Sequence, residues 1–169
     1  PQGVLLMGAG PLARALAAAL QRARIAVRLV DTNRGNVLQA RLEGLDAVHG
    51  NILSEQVEND LDLAGLGRLL ALTENDEANA LACRHFADDF GSARVYQLPP
   101  QLATRGSHSP SEGRLGRLLF APDATPAALF GRLERGATVK ATTLTDKYTW
   151  EDFQRQGGDQ SLPLLAIRG

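Results

Sequence analysis

The strongest candidate for chemistry is the glycine-rich segment Gly8-Ala9-Gly10-Pro11-Leu12-Ala13, which has the form G-x-G-x-x-A. It follows the apolar run Gly3–Met7 directly and opens an amphipathic segment. In such a motif the first glycine lets the chain turn sharply off a strand, and the second lets a pyrophosphate approach the backbone. The small final residue lets the helix pack closely, and free N–H groups at the helix start face the anion. The segment therefore predicts a phosphate-binding loop.

Asp31 is the second candidate, because it ends the next apolar run, 21 residues after Gly10. A carboxylate at that point can accept hydrogen bonds from ribose hydroxyls and would repel a 2′-phosphate. The alternative is a solvated acid that caps the helix starting from Thr32. The glycine motif in front of it favours the nucleotide interpretation.

Other reactive side chains form no pattern typical of catalysis or metal binding. Cys83 is the only cysteine, and the three histidines, His49, His85 and His108, lack metal-ligand spacing. None of them stands in an arrangement typical of a catalytic triad. The sequence therefore predicts neither a catalytic residue nor a metal site.

The elements that must position the glycine loop alternate between strand and helix. Short runs rich in Val, Leu and Ile predict buried strands at Gly3–Met7, Ile25–Val30, Asp46–His49, Arg68–Leu72 and Arg94–Leu98. Helical spacing of apolar residues predicts helices at Pro11–Ala23, Arg34–Leu42 and Asn75–Phe90, with a weaker one within Ser54–Leu66. This alternation predicts an α/β fold, a Rossmann-like parallel sheet with helices on both faces, over residues 1–98.

The composition changes after this region. Residues 99–114 are rich in Pro, Gly, Ser and charge, which predicts a linker or an exposed loop. Residues 115–169 then predict a small α/β segment of unknown role, which completes the first sheet or docks on it. Its predicted elements are a strand at Leu115–Ala121, a helix at Thr125–Arg135 capped by Thr125, a strand at Ala137–Leu144, a helix at Trp150–Arg155 and a strand at Leu162–Ile167.

Composition excludes several classes of protein. The chain has 169 residues with 44% hydrophobic and 22% charged residues, which is ordinary globular usage. The net charge of −1 lacks the basic excess of a nucleic-acid surface, and no apolar stretch reaches the length of a membrane span. A single cysteine fits a reducing compartment. Because the chain begins at Pro1 and not Met, we expect a soluble fragment of a longer protein.

Residues 4–98 resemble the nucleotide-binding regulator-of-potassium-conductance (RCK) domain, also called the Trk-type N-terminal (TrkA-N or KTN) domain. The resemblance is carried by the glycine loop, Val30-Asp31, His49-Gly50-Asn51, Leu72-Thr73, and the helix start Asn75-Asp76-Glu77-Ala78-Asn79. With Tyr96-Gln97-Leu98 after it, this stretch is most similar to domains on the cytoplasmic tails of bacterial monovalent-cation:proton antiporters.

The resemblance implies a nucleotide site. It places Asn51 near the adenine, and Thr73 and Glu74 on the phosphate or ribose side. Asn51 stands where the family usually has Asp, and Glu74 departs from the small residues common there. The predicted ligand is NAD(H) or an adenine mononucleotide: AMP, ADP or ATP. The predicted binding residues are Gly8, Gly10, Pro11, Leu12, Asp31, Thr32, Asn51, Ile52, Thr73, Glu74 and Asn75.

The resemblance also implies a function without catalysis, namely nucleotide-dependent regulation of an Na⁺ or K⁺:proton antiporter or a related cation transport system. The expected partners are a second copy, giving a homodimer, and the membrane transporter portion of the same protein. The expected location is the cytoplasmic side of the bacterial inner membrane. Two alternatives remain open at this point: a fragment of an NAD-dependent oxidoreductase, and a structural interaction module whose nucleotide site has decayed.

Overall fold

The computed structural model describes residues 2–101, 116–158 and 161–167. Within these ranges, short strands rich in aliphatic residues form one sheet. The strands are β1 (Gly3–Met7), β2 (Val27–Asp31), β3 (Ala47–His49), β4 (Leu66–Ala71), β5 (Val95–Gln97) and β6 (Arg117–Leu118). The five strands predicted before residue 99 are confirmed, with ends that differ by at most about two residues.

The helices of the described chain are α1 (Pro11–Arg22), α2 (Arg34–Leu42), α3 (Glu55–Asp60), α4 (Asp76–Phe90), α5 (Pro126–Glu134) and α6 (Trp150–Gly157). All but α1 begin at a side chain whose oxygen accepts a hydrogen bond from a first-turn N–H. These capping residues are Asn33, Ser54, Asn75, Thr125 and Thr149. Helix α1 begins at Gly10, which has no side chain to cap it.

The sheet has the order β3-β2-β1-β4-β5-β6, and every paired register is parallel. The chain moves outward from β1 to β3 and then crosses back to β4 on the other side of β1. This reversal separates the loops that leave β1 and β4, and opens a crevice at the carboxyl ends of these strands. The predicted Rossmann-like parallel sheet is confirmed.

The core lies on both faces of this sheet because neighbouring residues of β1 point in opposite directions. Val4 and Leu6 belong to a cluster with the apolar faces of α1, α2 and α5. Leu5 belongs to the second cluster, which contains Phe86 of α4 and Val57 of α3. Helices on both faces hold the sheet rigid, so the strand ends offer a firm base for a binding site.

Strand β6 and helix α5 belong to the same sheet and core. Gln97 of β5 pairs with Leu118 of β6 in parallel register. Leu119, Ala124 and Leu129 are buried in the cluster that contains α1. The predicted strand at Leu115–Ala121 is shorter than expected, since only Arg117–Leu118 pairs within its described part.

The strands predicted at Ala137–Leu144 and Leu162–Ile167 are wrong. Neither segment contains a strand, and the one isolated bridge of the described chain joins Thr145 and Tyr148, just after the first segment. The β-branched residues of the first segment are mostly exposed, because no sheet edge lies beside them to pair with. The helix predicted from Thr125 and the helix predicted at Trp150–Arg155 are confirmed, the latter extending to Gly157. Most of the predicted linker 99–114 lies outside the described residues.

Candidate functional site

The glycine loop joins β1 to α1 in the way the motif predicts. Gly8 follows β1 directly and has a φ of 109°, a left-handed conformation that favours glycine. Gly10 precedes α1 in extended conformation, and Pro11 occupies the first helical turn. The first N–H groups of a helix have no partner inside the helix, and here no side chain caps them. This helix start is therefore free to bind an anion through its backbone.

The fold itself does not require glycine at position 10. Its φ is −69°, a value that any residue adopts. A Cβ built at Gly10 would meet no heavy atom within 4 Å. Neither backbone strain nor internal packing therefore requires glycine here. A residue without a side chain at this position leaves space for a ligand to approach the backbone.

The loop is held from two sides through the peptide groups of Ala9. The Ala9 N–H donates to Asp31 Oδ2 at 2.8 Å, which connects the end of β1 to the end of β2. Arg14 Nη1 donates to the Ala9 carbonyl oxygen at 2.9 Å, and Arg14 Nε pairs with Glu43 Oε1 at 3.0 Å. These charged partners fix the course of the loop before any ligand binds.

Asp31 therefore has a structural role beside its predicted role toward ribose. Its Oδ2 accepts from Ala9 N–H and from Asn36 Nδ2 at 3.0 Å, while Oδ1 accepts from Asn33 N–H at 2.8 Å. An ionised carboxylate offers about four lone-pair directions, so about one remains for a further donor. The half-buried side chain lies in the wall of the cleft described below.

The loop after β4 forms the opposite wall and is fixed by α4. Asn75 caps α4 by accepting from Ala78 N–H at 2.9 Å. Asn79, which is fully buried, bonds to the Thr73 hydroxyl at 2.6 Å. Thr73 therefore turns its hydroxyl toward α4 and away from the cleft. Glu74, next along the loop, is exposed.

Asn51 shapes the turn after β3. Its Oδ1 accepts from Leu53 N–H at 3.0 Å, and its carbonyl oxygen accepts from the Ser54 hydroxyl at 2.8 Å. These are the bonds of an Asx turn, the local role that an asparagine fills well. Asn51 also lines the cleft, so a turn role and a contact with a ligand are compatible here.

These loops enclose one cleft of about 920 Å³ at the carboxyl ends of the strands. That volume is within the range of small-molecule sites. Nine of the eleven predicted residues line it: Gly8, Gly10, Pro11, Asp31, Thr32, Asn51, Thr73, Glu74 and Asn75. The other two, Leu12 and Ile52, are not among its lining residues, because their side chains are buried in the two core clusters.

Several lining residues were not among the predictions. Asn36 of α2 follows Asp31 by five positions and bonds to it, a contact that helical spacing does not reveal. Phe130, Leu133 and Glu134 come from α5, which the sequence assigned to the segment of unknown role. No signal in the sequence connects α5 to the glycine loop, since only the packing of α5 on α1 brings it there.

The charged side chains that line the cleft in the described part of the chain are all acidic: Asp31, Glu74, Glu77 and Glu134. A phosphate bound there would depend on backbone N–H groups and on the positive end of α1 for its stabilisation. Within the described residues, no group of three His, Cys, Asp or Glu side chains could hold a metal ion. The described helices also include none that is both long and apolar enough to cross a membrane.

The family model of the TrkA-N domain matches residues 4–97, which contain β2 to β5, all of β1 except its first residue, the glycine loop and Asp31. This chain belongs to the TrkA-N domain family. The TrkA-N match ends before β6 and α5, so it does not include the part of the cleft wall contributed by α5. A search of curated proteins gave no match.

Two solved structures show the same fold. The TrkA-N domain of the inner membrane protein ybaL from Escherichia coli is 21% identical, with a TM-score of 0.50 over 57% of this chain and 71% of that one. The NAD(P)-binding domain of an exopolyphosphatase-related protein from Archaeoglobus fulgidus is 19% identical, with a TM-score of 0.55 over 80% of this chain and 99% of that one. At these identities the likeness establishes a common fold.

Proposed function

We propose that this TrkA-N domain is a nucleotide-binding regulator of a monovalent cation transport system, such as an Na⁺ or K⁺:proton antiporter. The observation that carries the proposal is the ligand-sized cleft between the bare Gly10 and the Asp31 carboxylate. The similar domain of ybaL is part of an inner membrane protein, which supports a transporter as the regulated partner. The proposed location is the cytoplasmic side of the bacterial inner membrane.

The proposed ligand is an adenine nucleotide with a free ribose diol, NAD(H), AMP, ADP or ATP. The similar domain from Archaeoglobus fulgidus is described as NAD(P)-binding, which supports a dinucleotide. The carboxylates of Asp31, Glu74, Glu77 and Glu134 favour ligands with few negative charges, so we expect AMP and NAD⁺ to bind more tightly than ATP. Asp31 also disfavours the 2′-phosphate of NADP.

Regulation without catalysis fits the composition of the cleft. The polar side chains of its described lining are carboxylates, amides and two threonines, with no His, Lys, Cys or Tyr. A hydride-transfer enzyme needs a substrate pocket and proton-transfer groups beside the nicotinamide. In a regulator, nucleotide binding instead favours one of two arrangements of the attached transporter, to the extent that its affinity differs between them.

We also propose that the domain forms a homodimer, because a regulator attached to a two-fold transporter can act on both halves symmetrically. Light scattering over a range of protein concentrations tests this part. A mass that stays monomeric at the highest concentration would contradict it.

Isothermal titration calorimetry of the 169-residue chain tests the nucleotide site. We expect wild type to bind AMP and NAD⁺ and to bind NADP⁺ more weakly. Gly10→Val should abolish binding, because its side chain would occupy the space left for the phosphate. It should lower the unfolding midpoint in urea only slightly, since valine is a poorer N-cap than glycine but has space around it. Ala127→Val, which adds a branched side chain to an exposed position in the first turn of α5, is the control and should bind normally.

Two results would contradict the proposal. The first is unchanged nucleotide affinity in Gly10→Val. The second is steady oxidation of NADH by wild type with small carbonyl acceptors at about 1 per second or faster, which would indicate an oxidoreductase.

A further inference from the structure

Asn79 is one of two polar side chains with no exposed surface in the described core, and it bonds only to Thr73 in the wall of the cleft. Its Oδ1 accepts from the Thr73 N–H at 3.2 Å and from the Thr73 hydroxyl at 2.6 Å. Its Nδ2 donates to the Thr73 carbonyl oxygen at 2.9 Å. Asn79 therefore satisfies the donor and the acceptor of the Thr73 backbone as well as its hydroxyl.

These bonds decide which part of Thr73 faces the glycine loop. The Thr73 oxygen donates to Asn79 and accepts from Asn75 N–H at 3.2 Å, so its hydrogen-bonding capacity is largely used. The methyl carbon Cγ2 lies 3.5 Å from the position that a Cβ on Gly8 would occupy. The wall of the cleft opposite Gly8 is therefore an apolar methyl group at a fixed distance.

We propose that Asn79 is a positioning residue of the nucleotide site, an inference that rests on the function proposed above. Asn79 holds Thr73 in the one orientation that sets the gap between the loop after β4 and the glycine loop. The ligand contacts Thr73 through van der Waals packing on the methyl group. Its polar contacts come from the glycine loop and Asp31.

The physical reason is that Thr73 has no other partner for its backbone groups in this orientation. Removing the Asn79 amide leaves the N–H and the carbonyl oxygen of Thr73 without partners, and each unsatisfied group is costly. The Thr73 hydroxyl keeps its hydrogen bonds to the backbone of Asn75. The loop after β4 would then rotate until the unpaired Thr73 groups reach solvent, and the cleft is the solvent-filled space next to them. That rotation moves the Thr73 methyl group and changes the width of the phosphate-binding gap.

The first test compares Asn79→Ala with Gln97→Ala. Gln97 is the other fully buried polar residue of the described core, and it bonds to Gly116 N–H on the sheet edge and is absent from the cleft lining. Both variants should unfold at lower urea concentration than wild type. Only Asn79→Ala should lose affinity for AMP and NAD⁺, by about tenfold, the scale of losing one buried hydrogen-bond network.

The second test uses Asn79→Asp, which keeps the shape of the side chain and makes its donor depend on pH. The introduced carboxylate accepts from Thr73 but cannot donate to its carbonyl oxygen. Once protonated, it can donate, and burial raises the pKa at which this occurs. We expect NAD⁺ affinity, relative to wild type at the same pH, to be low at pH 8 and to recover by pH 5.5.

The outcomes separate this inference from the proposed function. Failure of wild type to bind either nucleotide would overturn both. Normal binding by wild type with affinity within about twofold in Asn79→Ala would overturn only the role of Asn79. The role of Asn79 would also be overturned if the ratio of NAD⁺ affinities of Asn79→Asp and wild type were constant between pH 5.5 and 8.

Discussion

At the scale of single residues, the structure gives Asp31 a role that the sequence did not predict. Its carboxylate receives the Ala9 N–H of the glycine loop and also lies in the wall of the cleft. Asn33, two positions later than the cap suggested by the sequence, is the residue whose side chain caps α2. Asp31 contributes to that turn by accepting from the backbone N–H of Asn33.

We expect Asp31→Ala to weaken AMP and NAD⁺ binding by about 1.5–3 kcal/mol, the usual value of a charged hydrogen bond. Because the variant also frees the Ala9 N–H, we do not expect a compensating gain for NADP⁺. Asp46→Ala is a matched control, since it removes an exposed carboxylate that pairs with Arg28 outside the cleft. Calorimetry that finds equal NAD⁺ affinity in Asp31→Ala and Asp46→Ala would contradict the placement of the site.

Cys83 provides a pH-dependent prediction. Burial raises the pKa of the Cys83 thiol from 9.0 to about 12, because the thiolate is poorly solvated in the core. Above pH 9 the unfolded chain loses this proton and the folded chain retains it, so the stability of the fold falls as pH rises. Between pH 9 and 10.5, the stability of wild type relative to Cys83→Ala should decrease by up to about 1.4 kcal/mol per pH unit.

Urea unfolding at several pH values measures this difference. The cavity left by Cys83→Ala lowers the stability of the variant by the same amount at every pH, so it does not affect the pH dependence. A relative stability that does not change between pH 9 and 10.5 would show that the thiol ionises in the folded protein as it does in the unfolded chain.

At the scale of secondary-structure elements, the start of α1 differs from the starts of the other described helices. Five helices of the described chain begin at a side-chain cap, whereas α1 begins at a bare glycine. A missing cap leaves polar N–H groups that must find another partner. Gly10 and Pro11 at the start of α1 line the cleft, where an anionic ligand would supply that partner.

The contribution of a helix cap to the stability of the fold can be measured at the start of α5. Thr125 accepts from Ala128 N–H at 3.3 Å, and α5 buries Leu129 in the core. Thr125→Ala should lower the free energy of unfolding by about 1 kcal/mol, since the cap stabilises a helix that the core depends on. The comparison is Thr149→Ala on α6, a helix that buries no residue. Equal losses in urea unfolding would mean that α5 is no more important to the fold than α6.

At the scale of the whole molecule, the sheet continues beyond the part that matches the TrkA-N family. The match ends at residue 97, but β6 pairs with β5 and α5 packs against α1. After Glu134 the described chain adds no further strand, and α6 buries none of its residues. The fully buried core residues therefore end within α5, and beyond it only the half-buried Leu162 and Leu164 of the described chain pack against the core.

Two truncations test this boundary. A chain of residues 1–136 keeps β6 and α5 and should unfold cooperatively at a urea concentration close to that of the full chain. A chain of residues 1–101 loses Leu119 and Leu129, whose burial contributes about 3–6 kcal/mol together. It should unfold at much lower urea concentration. Equal midpoints for the two truncations would place the boundary of the fold before β6.

The sequence by itself determined the strands and helices of residues 1–98 and the position of the glycine loop. These features depend on local signals, namely aliphatic runs, helical spacing, Pro11 after Gly10, and capping residues such as Asn75. It also indicated that Asp31 and Gly10 would line the same site, because parallel strands bring their carboxyl ends to one edge of the sheet.

Only the tertiary structure decided which distant residues share that edge. Two examples are the hydrogen bonds of Asn79 to Thr73 and the position of Phe130 in the wall of the cleft. Both depend on how helices pack, and packing leaves no periodic signal in the sequence. Dependence on tertiary contacts also explains why the strands predicted at Ala137–Leu144 and Leu162–Ile167 do not form. A strand requires a free sheet edge beside it, and neither described segment lies along one, so propensity alone was insufficient.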